Sequence, residues 1–94
     1  MKDDEIIPLL HGLPRPTFFT LDADFYDRHF CHEAYCLVHL DVEGEMAAEY
    51  VRRLLHHRAF NTKAKRMGRV IRVSPMGLAI WRILQEQESR LSWR

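Results

Sequence analysis

The feature that most constrains this chain is an amphipathic helix lying between two strand-like segments. Over residues 44–59, Ala47, Tyr50, Val51, Leu54 and Leu55 form one apolar stripe, with Glu45, Glu49, Arg52, Arg53 and His56 opposite. Recurrence every three to four residues is the mark of a helix that buries one side. Glu49 precedes Arg53 by four residues, the favourable order for a surface pair. Upstream, Ala34 to Leu40 reads as a strand over 34–41. Downstream, Arg69-Val70-Ile71-Arg72-Val73 alternates as a strand over 67–73. A helix between two strands allows a parallel crossover. A further strand from 60–66 would replace it with an antiparallel hairpin.

The flanking segments are read by the same rules. Tyr26, Phe30, Ala34 and Leu37 recur at helical spacing, and Thr20 or Asp22 suits a cap. The expectation is a helix over 22–32 followed by the strand, with one unbroken helix as the rival. Asn61 to Arg66 reads as a basic loop. Ser74 as cap and Pro75 at the first helical position predict a last helix over 75–90. Met76, Ile80, Ile83, Leu84 and Leu91 would share its buried face, with Leu78 and Trp81 off that face. Pro8, Pro14 and Pro16 make residues 1–19 an extended apolar arm with room for one helical turn. Residues 20–94 then form a single small α+β domain. Two or three helices pack on a short sheet of two or three strands, and a winged-helix-like arrangement of the second half is one form of it.

Val51 to Leu84 resembles the second half of a MarR-type winged-helix domain. The shared order is a helix bearing Arg52-Arg53, a basic tip, an Arg/Val-alternating strand, then Ser74-Pro75-Met76-Gly77 opening a helix. In that family the corresponding helix and wing touch DNA, so the resemblance implies DNA contact by this segment. No Gly-x-Ser/Thr turn separates two short helices before residue 51, so the first half departs from the family's pattern.

Charge points the same way. Residues 1–50 hold three basic residues against eleven acids, and residues 51–94 hold eleven basic residues against two acids. Arg52, Arg53, Arg58, Lys63, Lys65, Arg66, Arg69 and Arg72 follow one another with no acid between them. Such asymmetry fits a nucleic acid or an acidic protein as partner, because phosphates neutralised by Lys and Arg release their counterions. The competing expectation is that the acidic half folds against the basic half.

Other chemistry has thinner support. His29, His32, Cys36 and His39 would share a face if 29–39 were helical and could then hold zinc, but on a strand Cys36 and His39 point to opposite faces. No Cys-x-x-Cys pair is present, and no metal or cofactor is assigned. His32-Glu33 lacks the second histidine of a zincin. Asp22, Asp24 and Asp27 lack the glycine and terminal glutamate of a calcium loop. No phosphate-cradling glycine loop or Gly-x-Ser-x-Gly elbow occurs.

The sequence thus reads as a small, non-catalytic, regulatory protein that binds nucleic acid through residues 52–72. The alternative is an inhibitor or adaptor acting on an acidic or nucleic-acid-processing protein. Two cysteines and an acidic, proline-interrupted start suggest a reduced, cytoplasmic protein without a signal peptide or membrane span. Trp93 beside Arg94 reads as a clamp closing the domain or as a docking tip, and apolar groups at both ends allow a homodimer.

Overall fold

A computed structural model describes residues 3–93. Met1, Lys2 and Arg94, which enter the charge count and the terminal Trp-Arg reading, lie outside the described residues. The order is α1 (Asp3–His11), β1 (Thr17–Thr20), two 3-10 turns (Ala23–Phe25 and Arg28–Phe30), and β2 (Cys36–Leu40). A third 3-10 turn (Gly44–Met46) leads into α2 (Ala47–His56), and then come α3 (Lys63–Arg66), β3 (Arg69–Ser74), β4 (Gly77–Arg82) and β5 (Ser89–Leu91). The strands form one mixed sheet in the order β1-β2-β3-β4-β5. β1, β2 and β3 are parallel, and β4 and β5 continue the sheet antiparallel. The α+β class stands, but the sheet has five strands rather than two or three.

The parallel pairing of β2 with β3 follows from the helix between them, which returns the chain to the same end of the sheet. Strand alternation sorts the side chains between two cores. Cys36, Val38, Leu40, Ile71, Val73, Leu78 and Ile80 meet Tyr50 and Leu54 of α2 together with Phe60. Leu37 and Val70 meet Ile6 and Leu10 of α1 together with Phe25 and Tyr35. We call these the α2 face and the α1 face. β2 is buried along its whole length, as expected of a strand covered on both sides.

Three expectations are corrected. Residues 75–90 form no helix: Ser74 pairs with Gly77 across a two-residue turn, and β4 runs back along β3. Ser-Pro opens turns as readily as helices. Gly77, at φ 147°, holds a conformation that other residues adopt only under strain. Leu78 and Ile80 enter one core while Trp81 packs on the other, which explains why two of these side chains fell off a helical stripe. Met76 and Leu84, expected to be buried, are 95% and 97% exposed. With that helix gone, the winged-helix order goes too.

Second, residues 22–32 form two short 3-10 turns. Asp22 and Asp27 each accept a hydrogen bond from the backbone N–H two residues on, the local bonding that competes with a long helix. Third, α1 replaces an irregular stretch in the arm despite Pro8, because Ile6 and Leu10 at i and i+4 bury together. The basic loop at 61–66 contains a single helical turn, α3, capped by Thr62. Among the described residues, no helix is long and apolar enough to cross a membrane.

Trp93 is a clamp. Its indole Nε1 donates to the Ser74 carbonyl at 2.7 Å, and its ring lies 5.7 Å from that of Tyr50.

Candidate nucleic-acid interface

The basic residues divide among three places. The first is the end of the sheet where the parallel strands begin. Thr17, Cys36, Arg69 and Arg82 fall on one line across β1, β2, β3 and β4, because Cys36 precedes the Leu37–Val70 pair by one residue. All four lie on the α2 face. Arg66 joins them from α3: its Nε donates to Thr17 Oγ1 at 3.1 Å and its Nη1 to the Phe60 carbonyl at 2.9 Å. Cys36 is buried beneath Arg66 and Arg69. Burial pushes its thiol up to about 12, against the pull of both arginines.

Arg69 and Arg82 are directly opposed cross-strand partners. Like charges so placed destabilise a sheet. Burial, and then the charge of Arg82, lower the pKa of Arg69 from its ordinary value. Its Nη1 donates to the Met67 carbonyl, while its buried Nε has no hydrogen-bond partner among the described residues. Lys63 reaches the Pro14 carbonyl at 3.4 Å, which brings the exposed Arg15 to the same rim. Lys65 Nζ donates to the carbonyl of Arg58 and to Asn61 Oδ1. These bonds fix the two side chains in place without neutralising them.

The second place is α2. Arg53 lies over the rings of Tyr50 and Trp93, at 4.9 and 4.6 Å, and belongs to the clamp. Arg52 is exposed on the same helix. The third is the α1 face, where strand alternation puts Arg72, three residues after Arg69. So Arg58, Lys63, Lys65, Arg66 and Arg69 gather on one rim, and Arg52, Arg53 and Arg72 stand apart from it.

Sequence reasoning missed Arg15 and Arg82. Arg15 sits in the acidic half, and Arg82 was assigned to a helix. Leu84, two residues past Arg82, is exposed at φ 63°, a left-handed conformation that costs a bulky residue roughly 1–2 kcal/mol.

Among the described residues, no acidic side chain lies in ion-pair range of the rim: the ion pairs are His29–Asp27 and Arg90–Glu88, and neither involves a rim residue. Asp22 and Asp27 are occupied in capping turns.

The histidine–cysteine set is dispersed. Cys36 and His39 occupy opposite faces of β2, His29 bonds to Asp27, and His32 stacks on Tyr35 at 5.6 Å. Among the described residues, no three His, Cys, Asp or Glu side chains converge as metal ligands.

Compared with known proteins, the chain matches no family model, no curated protein and no solved structure.

Proposed function

We propose that this is a non-catalytic, regulatory nucleic-acid-binding protein. Its contact surface is the rim formed by Arg15, Arg58, Lys63, Lys65, Arg66, Arg69 and Arg82. One observation carries the reading: Arg66, Arg69 and Arg82 crowd together, two of them half-buried, with no carboxylate in ion-pair range among the described residues. A protein that only needed a solvated face would gain by spacing these charges or pairing them. A phosphate backbone laid along the rim relieves their repulsion and releases its own counterions. Guanidinium groups also suit phosphate oxygens, which they can meet two at a time.

The test is fluorescence anisotropy with labelled duplex DNA, single-stranded DNA and RNA at several salt concentrations. The expected log–log slope is about −4 to −7 for duplex, at roughly 0.9 per neutralised phosphate. Charge reversal at Lys63 and Arg82 should flatten it, whereas reversal at Arg52 should do so less. No binding at low salt would overturn the reading and leave an acidic protein as the rim's partner.

A further inference from the structure

The opposite end of the sheet carries a second feature, independent of the rim. On the α1 face, Thr20, His39, Arg72, Ala79 and Arg90 form a row across all five strands, one residue from each. Here the parallel strands finish, the end at which open parallel sheets bind their ligands. A cleft of about 520 Å³ opens on the Arg72, Ala79 and Arg90 part of this row, where Asp41, Ser74 and Met76 also line it. That volume suits a small molecule. Ala79, the one small side chain between two arginines, provides the space.

The charges around the cleft are not equivalent. Tyr26 donates its hydroxyl proton to Glu88 Oε2, and Glu88 Oε1 accepts from Arg90 Nη2 at 3.0 Å. Glu88 is therefore satisfied at both oxygens and holds Arg90. Arg72 lies with its guanidinium 5.5 Å above the Tyr26 ring, and among the described residues it has no hydrogen-bond or ion-pair partner. Its donors remain available on a half-buried side chain that lines the cleft.

His39 lies beside Arg72 as its cross-strand partner and two residues before Asp41. It is only 6% exposed, and its buried Nδ1 has no hydrogen-bond partner among the described residues. A buried polar atom left unpaired costs about 1–3 kcal/mol, and native structures rarely keep one without a reason.

We propose that this cleft binds a small molecule bearing one acidic group, carboxylate or phosphate, on an apolar body, with Arg72 as the anchor. The fork of Arg72 fits either acid. Pro75 and Met76, in the turn at the cleft's end, supply apolar lining. Asp41 at the cleft, with Glu88 close by, disfavours a polyanion, so nucleic acid is not the occupant.

Phenylacetate and phenyl phosphate test this, since they share a body and differ in the acid. Benzyl alcohol serves as the neutral control. Each is titrated into ¹⁵N-labelled protein at constant ionic strength. At least one acid should give saturable amide shifts at Arg72, Ser74, Gly77 and Ala79, and the alcohol should not. Whichever acid binds identifies the preferred group. Arg72→Gln should weaken binding at least tenfold with an unchanged melting temperature, and Arg72→Lys should recover part of it. The rim variant Lys63→Glu should bind like the parent, which separates this site from the nucleic-acid reading. Absence of saturation with both acids at tens of millimolar, shifts that map to the rim, or an undiminished Arg72→Gln response would each overturn the proposal.

Discussion

The two ends of the sheet handle charge in opposite ways. Where the parallel strands begin, arginines accumulate side by side and, among the described residues, no carboxylate pairs with them. Where they finish, Arg90 is paired with Glu88, and Tyr26 completes the chain. Both ends hold guanidinium groups on half-buried or exposed positions, so burial does not separate them. The distribution of acids does. An open rim of one sign suits a long polymer whose charge repeats. A cleft with mixed signs and one unpartnered arginine suits a small ligand with a single acid.

The largest expected effect comes from breaking the cleft end. A Cβ at Gly77 would lie 2.7 Å from the Leu91 carbonyl oxygen, on backbone at φ 147°. Gly77→Ala should cost about 3 kcal/mol through strain and displacement of β5. For a domain of this size that lowers the melting temperature by roughly 12–24 °C, which a thermal melt followed by circular dichroism will show. Next is the rim. The double variant Lys63→Glu, Arg82→Glu should lose more than tenfold in nucleic-acid affinity, about 1.4 kcal/mol or more, and flatten the salt slope. Anisotropy at fixed and varied salt measures both.

A pH titration of stability probes the cleft end more gently. Burial, with a smaller push from Arg72, lowers the pKa of His39, while Asp41 and Asp22 act to raise it. The folded protein therefore holds this proton more weakly than the unfolded chain does. Stability contributed by neutral His39 is present above the ordinary histidine value of about 6.5 and declines as pH falls below it. Urea midpoints should drop between pH 7 and 5, and His39→Phe should reduce that drop. The smallest effect sharpens the contrast. Arg82→Gln removes a like-charge cross-strand pair, so it should raise stability by about 0.2–0.5 kcal/mol while weakening nucleic-acid binding. A rim residue that improves the fold when lost is one kept for something other than folding.

Much of the fold was legible where one period dominated. The α2 stripe and the strand at Arg69–Ser74 were readable from one dominant spacing, while the strand at Cys36–Leu40 was favoured over a helical rival that Ala34 and Leu37 also allowed. Residues 75–90 were not readable. Ser74-Pro75 serves a helix start and a turn equally well, and only the pairing of Ser74 with Gly77 decides between them. The rim was partly legible as a run of basic residues. Its division was implicit in the strand period, since Arg69 and Arg72 lie three apart and must face opposite ways. Arg82 joined it only through register with Arg69. The cleft row was illegible, because its five members come from five strands.

The mixed sheet also implies an order of assembly. β3 and β4 meet across a two-residue turn, and β5 follows after residues 83–88. β1 reaches β2 only after residues 21–35, and β2 reaches β3 only after residues 41–68. Short loops lose less entropy on closing, and local contacts form sooner. The meander from Arg69 to Leu91 is thus the natural nucleus, with β1 and β2 added later. Substitutions in the Ser74–Gly77 turn should slow refolding, while those in β1 should mainly quicken unfolding.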